Sequence, residues 1–161
     1  MIEKTFGERM ENQDYYDREG AYFICVRDEK VAVVKLPKGY FLLGGGIESE
    51  ESKEACIHRE VLEEVGCVVE IDQYITSAEV YGVHRTFGYF HPIQHYYCGR
   101  LGNKVQEPIE VDHQLEWIPI EQVDELMYLE VQAWAIQRYL NNNTKGYSND
   151  RKRKNVTGTT V

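Results

Sequence analysis

Residues 44–67 read GGGIESEESKEACIHREVLEEVGC, and this stretch decides the fold. A helix is expected from about Ser52 to Val65, with Ser52 as N-cap and Gly66 in the left-handed position that ends many helices. Turning it by roughly 100° per residue brings Glu60, Glu63 and Glu64 into one arc, with Cys56 among them and Arg59 at the border. Ile57, Val61, Leu62 and Val65 fall on the opposite side, which a sheet would bury. Like charges three or four residues apart cost a helix about 0.2–0.5 kcal/mol per pair, so something should offset the repulsion of Glu60 with Glu63 and with Glu64. Converging carboxylate oxygens suit Mg²⁺ or Mn²⁺, which recruit phosphate oxygens and activate water. A solvated acidic face is the alternative reading of three glutamates alone. The glycines favour the ligand site, because a Cβ would keep a ligand or metal away from the backbone, and here three glycines stand between an apolar strand and an acidic helix.

The order Gly45, five residues, Glu51, seven residues, Arg59-Glu60-Val61, Leu62, Glu63-Glu64, Val65, Gly66, Cys67 resembles the Nudix box, with Cys67 in the final aliphatic position as the mildest departure. Tyr40-Phe41-Leu42-Leu43-Gly44-Gly45 looks like the aromatic-x-Leu-Pro-Gly-Gly segment that precedes the box. Trp117-Ile118-Pro119-Ile120-Glu121 resembles the Trp-x-Pro-Leu segment before the family's C-terminal helix. Leu43 stands where Pro is common and Glu50 where Gly is common. Both lie outside the metal ligands and bear on loop shape and substrate choice.

The resemblance implies an α/β protein, a Nudix-type α/β/α sandwich whose mixed sheet supports a loop-helix-loop metal site. It also implies hydrolysis of a nucleoside diphosphate linked to another group. Carried over residue by residue, Glu60, Glu63 and Glu64 bind Mg²⁺ (or Mn²⁺), the Gly44 carbonyl is a further ligand, and Arg59 and Glu51 brace the loop against the helix. Water held at the metal attacks a phosphorus, and the metal neutralises the charge on the leaving phosphate. The general base is expected within the cluster, with Glu60 the first choice, or on a later loop, where Glu107, Glu110 and His113 are candidates. An acidic surface turn is the other reading of that loop.

Outward from the box, Ala21–Val26 and Val31–Leu36 are apolar runs around the polar turn Arg27-Asp28-Glu29-Lys30 and read as a hairpin, with Phe41–Leu43 continuing the sheet. Strands are expected at Val68–Tyr81, Ile93–Leu101 and Leu115–Ile118. A second helix is expected from about Leu129 to Leu140, where Val131, Trp134, Ala135 and Arg138 to Tyr139 keep a 3.6 period. The chain is read as one domain over residues 1–140, followed by a polar, loosely held tail over 141–161. The tail's basic run, Arg151–Lys154, reads either as solubilising or as a contact for RNA or a partner.

With 161 residues, 42% hydrophobic and 28% charged, the chain has the composition of one globular domain. Its longest apolar runs are too short for a membrane span. Eighteen basic residues against 27 acidic ones give −9, which argues against general nucleic-acid or acidic-membrane binding. The charged N-terminal stretch lacks a secretory h-region, so a cytoplasmic location is expected. Cys25, Cys56, Cys67 and Cys98 form no CxxC and read as reduced thiols.

The substrate is chosen by elimination. No Pro lies between Cys67 and Phe90, where the ADP-ribose branch commonly has one. The motifs resembling the NADH-hydrolysing and coenzyme A branches are absent as well. A MutT-like activity remains, in which a small nucleotide, a nucleoside triphosphate that is oxidised or non-standard among them, yields monophosphate and pyrophosphate. A dinucleoside polyphosphate or capped-RNA hydrolase and a non-catalytic Nudix-fold nucleotide-binding regulator are the alternatives; the sequence is compatible with a homodimer. Tyr81–His91 could supply base-stacking rings and a phosphate-binding Arg85, or be an ordinary hairpin connection. His91 and His95 are i,i+4, but Pro92 between them and the strand character of the region argue against a zinc site.

Overall fold

The computed structural model describes the backbone of residues 1–156 and the side chains of residues 1–143. In chain order its elements are β1 (Lys4–Phe6), β2 (Tyr16–Ile24), β3 (Val26–Arg27), β4 (Lys30–Leu36), β5 (Gly39–Phe41), β6 (Leu43–Gly46), α1 (Lys53–Val65), β7 (Cys67–Val80), β8 (Gly82–His84), β9 (Gly88–Lys104), β10 (Gln114–Pro119), α2 (Val123–Leu126) and α3 (Glu130–Val156). A mixed sheet has the order β1-β7-β9-β2-β6, with β8 paired to β9. A smaller antiparallel sheet has the order β10-β4-β3, with β5 paired to β4.

The expected hairpin over residues 21–36 is divided between these sheets. Only Val26 and Arg27 turn back onto β4, through Asp28 and Glu29, whose positive φ values of 52° and 62° suit a two-residue hairpin turn. Ala21–Ile24 pair instead with β6 and β9 in the larger sheet. The same crossing recurs at Leu42: Phe41 pairs with β4, whereas Leu43 pairs with β2. An uninterrupted apolar run does not mark where a strand leaves one sheet for another. The Leu42 N–H, placed between the two ladders, donates to Gln132 Oε1 at 2.8 Å.

Alternation along β2 sends its residues to two cores. Ala21, Phe23 and Leu43 meet Cys56, Ile57, Val61 and Val65 of α1. Ile24, Tyr96 and Cys98 meet Val131, Ala135 and Ile136 of α3 on the opposite side. This gives the α/β/α layering expected. Burying a side chain such as Ile57 contributes about 1.5–3 kcal/mol.

The ends of α1 follow the sequence closely. Ser52 accepts from the Ala55 N–H at 3.0 Å, and Gly66 (φ 72°) donates its N–H to the Leu62 carbonyl. The other helix departs from expectation: α3 runs to Val156, past Leu140. The side chains of the basic run Arg151–Lys154, and residues 157–161 altogether, lie outside the described part of the chain. Among the described residues no helix is long and apolar enough to cross a membrane.

Candidate active site

Helix α1 projects Glu60 and Glu64 toward strand β6. Glu64 is only 5% exposed, and its Oε1 accepts the Gly44 N–H at 2.9 Å. Burial pushes its carboxyl well above the usual range against the pull of that hydrogen bond, with Glu60, Glu110 and Glu63 pushing the same way. Burial also raises Glu60, opposed by Arg59 and helped by Glu63 and Glu110. The glycines explain how the groups fit. A Cβ on Gly45 would sit 2.5 Å from the Glu60 carboxyl carbon, and one on Gly46 2.8 Å from Arg18 Nη2. Gly44 has φ 133°, and a Cβ there would lie 2.3 Å from the Ala21 carbonyl oxygen. The three glycines are thus part of a strand, and what approaches Gly45 and Gly46 is the protein's own side chains.

Arg59 braces the segment before α1. Its Nε and Nη2 reach Glu51 at 2.7 and 2.9 Å, and Nη2 also donates to the Gly46 carbonyl at 3.0 Å. Nη1 donates to Glu60 at 3.0 Å and to Glu63 at 3.3 Å. The Arg59 hydrogen bond holds the Glu51 carboxyl down at about 2. The Cys56 thiol lies 3.4 Å from the Gly45 carbonyl and is pushed up to about 11, first by burial and then by Glu51 and Glu60.

Among the described residues no three carboxylate, histidine or cysteine side chains already converge on one point as metal ligands. Arg59 stands between Glu60 and Glu63, and Glu64 turns one oxygen to Gly44. The donor chemistry nonetheless fits a hard divalent cation: these are carboxylate oxygens, and among the described residues the buried Glu64 has no Lys or Arg partner. Gly44 is seen using its N–H; its carbonyl as a ligand remains a proposal.

The later loop comes to the same place. The Ile109 and Glu110 N–H groups donate to the Glu63 carbonyl at 2.8 and 3.2 Å, which caps the last turn of α1. His113 Nε2 lies 3.5 Å from Glu64 Oε2, and its buried Nδ1 has no partner among the described residues. Glu110 and His113 therefore join the glutamates. Glu107 does not: it pairs with Lys104 at 3.1 Å on the surface.

A cleft of about 1190 Å³ opens from Gly44 and Glu64 and is lined by Arg18, Tyr22, Gln94 and Gln132 as well as by Phe41, His84, Phe87, Phe90 and Tyr128. Arg18 and Tyr22 are site residues that the sequence reading missed. Their signal is the two-residue alternation of β2, which places Arg18, Gly20 and Tyr22 on one face. Of the Tyr81–His91 segment, Phe87 and Phe90 line the cleft, whereas Arg85 lies exposed on the turn beyond the lining. His91 bonds Asp17 and Glu79, each at 2.8 Å, and stacks on Tyr81. His95 bonds Ser77 at 2.7 Å and Glu19 at 3.2 Å, so the two histidines serve separate polar clusters.

The NUDIX domain family model matches residues 17–140. No curated protein matches the chain. Among solved structures, a NUDIX hydrolase from Nitrosomonas europaea superposes with a TM-score of 0.66 at 16% identity, covering 79% of this chain and 90% of that one. A MutT NUDIX hydrolase from Burkholderia pseudomallei gives 0.63 at 20% identity, covering 76% and 98%. The MutT protein from Methanosarcina mazei Go1 gives 0.64 at 15% identity, covering 82% and 99%. At these identities the likeness concerns the fold.

Proposed function

The chain belongs to the Nudix family, whose hydrolases act on phosphoric anhydride bonds and generally use divalent metal ions, and on that premise we propose that it is a MutT-like, Mg²⁺-dependent pyrophosphohydrolase. The substrate is a nucleoside diphosphate linked to another group, first of all a nucleoside triphosphate, standard or oxidised, cleaved to monophosphate and pyrophosphate. The observation that carries this reading is the set Glu60, Glu63 and Glu64 on one arc of α1, of which Glu64 lines the cleft and only Glu60 and Glu63 are paired with Arg59.

In this reading Glu60, Glu63, Glu64 and the Gly44 carbonyl hold Mg²⁺ or Mn²⁺. A bound metal would supply charge neutralisation on the phosphate oxygens and activation of water. Arg59 and Glu51 fix the segment between β6 and α1, so that the carboxylates keep their places when the substrate arrives. Gly44 orients Glu64 through its N–H, and His113 approaches the other oxygen of the same carboxylate. Glu60, its carboxyl raised by burial, takes the proton of the attacking water. A cytoplasmic location fits such a substrate.

The test is release of pyrophosphate or phosphate by the purified protein with Mg²⁺, over nucleoside triphosphates, their oxidised forms, nucleotide sugars and ADP-ribose. Glu64→Gln serves as the blank. Metal-dependent turnover of triphosphates that the blank lacks is the expected result. Equal turnover in the blank overturns the site, and no turnover across the panel overturns the MutT-like substrate reading.

A further inference from the structure

Residues 105–113, the loop between β9 and β10, are anchored on the C-terminal end of α1. The Val105 and Gln106 N–H groups donate to the Gly66 carbonyl at 2.8 and 3.3 Å, and the Ile109 and Glu110 N–H groups to the Glu63 carbonyl at 2.8 and 3.2 Å. The apolar side chains of the loop do not anchor it: Val105, Ile109 and Val111 are 59%, 65% and 95% exposed. His113 is different. Its side chain is 19% exposed, its N–H donates to the Glu110 carbonyl at 3.3 Å, and the next residue, Gln114, is already paired with Lys35 of β4. The backbone on both sides thus fixes where the ring stands.

The two ring nitrogens have unequal surroundings. Nε2 stands 3.5 Å from Glu64 Oε2, whereas Nδ1 is buried with no hydrogen-bond partner among the described residues. A buried polar atom without a partner is uncommon and calls for an explanation. A carboxylate that holds a cation is ionised and only accepts, so the ring nitrogen facing it bears the proton. Nδ1 goes unpaired because the other end of the ring is the one that is placed. Such contacts are often long before a site is filled and tighten when it is.

Glu64 needs this neighbour. The Gly44 N–H holds Oε1 at 2.9 Å, and among the described residues no Lys or Arg lies within ion-pair distance of the carboxylate. A carboxylate offers about four lone-pair sites, so one donor at each oxygen leaves a site on both for a cation. A hydrogen bond that orients a metal-holding side chain from behind matters: its loss typically costs about 10–100-fold in metal affinity.

We propose that His113 is a positioning residue for the divalent cation, directing its Nε2–H at Glu64 Oε2 while Gly44 holds Oε1. The loop hydrogen bonds to Glu63 and Gly66 keep the imidazole aligned with the turn of α1 that carries Glu63 and Glu64. The inference rests on the divalent-metal reading of the glutamates and deepens it by a residue from outside the helix. His113 thereby serves the carboxylate and not the attacking water.

The experiment measures the Mg²⁺ Kd of the full chain by calorimetry, with the rise in Tm that Mg²⁺ gives as a second readout; neither needs a substrate. His113→Phe keeps the bulk of a ring without a donor and should raise the Kd by about tenfold or more. His113→Gln, whose amide nitrogen reaches the place of Nε2, should recover most of that loss. His113→Asn, whose amide stops at the place of Nδ1, should not. Melting without metal checks that each variant is folded, and the Gln and Asn variants decide the matter alone if His113→Phe does not fold. A Kd in His113→Phe equal to that of wild type overturns the inference, and so does a Gln variant that binds no better than the Asn variant. A wild type that binds neither Mg²⁺ nor Mn²⁺ overturns the metal reading itself, and this inference with it.

Discussion

The Gly44 N–H donates to Glu64 Oε1 across 2.9 Å, tying edge strand β6 to the last turn of α1. The backbone fixes the carboxylate at one oxygen, and His113 Nε2 stands 3.5 Å from the other. Glu64→Gln retains an acceptor for Gly44 while removing the charge. It should fold normally, lose at least about tenfold to a hundredfold in turnover, and lose the rise in Tm that Mg²⁺ gives wild type by mass action. Equal Mg²⁺ shifts in the two proteins would contradict the assignment.

Gly44→Ala acts on the same bond from the other side. With φ at 133° and a Cβ placed 2.3 Å from the Ala21 carbonyl oxygen, alanine forces β6 to move. Backbone strain of this kind costs about 1–3 kcal/mol before the clash is counted. A urea midpoint equal to that of wild type would contradict it.

The Glu51–Arg59 pair should appear in the acid limb of stability. The Glu51 carboxyl falls from 4.5 to about 2 on folding, chiefly through its hydrogen bond with Arg59. A folded-state value below the unfolded one gives stability that is complete above the unfolded value and lost as pH falls through the folded one. The stability difference between wild type and Glu51→Gln should therefore be full at neutral pH and shrink from about pH 4.5 to about pH 2. Urea titrations across that window check it, and a constant difference would refute it.

Gln132, 1% exposed, accepts the amide of Leu42 where the chain changes sheets. Gln132→Leu leaves that N–H buried without a partner and should cost about 1–3 kcal/mol in denaturant unfolding. A cost near zero would mean that water or a shifted backbone satisfies Leu42.

The two ends of α1 should respond unequally. Ser52→Ala removes one capping bond, at about 0.5–2 kcal/mol. Gly66→Ala meets a positive φ of 72° and places a Cβ 1.9 Å from the Gln106 carbonyl oxygen, so it should cost more than the Ser52 change in the same unfolding assay.

Ser52, Gly66 and the Glu60–Glu64 arc are legible in the sequence because capping and helical spacing act within a turn or two. Cys25 and Leu42 are not legible as crossings between sheets, since the partners that decide them lie far along the chain. Arg18 and Tyr22 escape for a related reason: alternation puts them on one face, but that face becomes the cleft floor only when β6 and β9 lie alongside. Glu110 differs from Glu107 because the Ile109 and Glu110 amides dock on the Glu63 carbonyl, a contact that charge pattern does not encode. The polar run after Leu140 reads as the end of a packed helix, but polarity alone does not break a helix, and the α3 backbone continues to Val156.

β1 lies parallel to β7 at the outer margin of the larger sheet, with Glu3 joined to Thr76 at 2.7 Å and to Arg138 at 3.0 Å. β7 is fourteen residues long, and a bare flank of that length offers unpaired backbone groups to any neighbouring strand. A three-residue cover that starts with Lys4 gives a second molecule little to extend. Over Ala78–Val80, the three residues of β7 that it pairs, the N-terminal segment is a guard against edge-to-edge pairing, and trimming it would show first in how the protein behaves at high concentration.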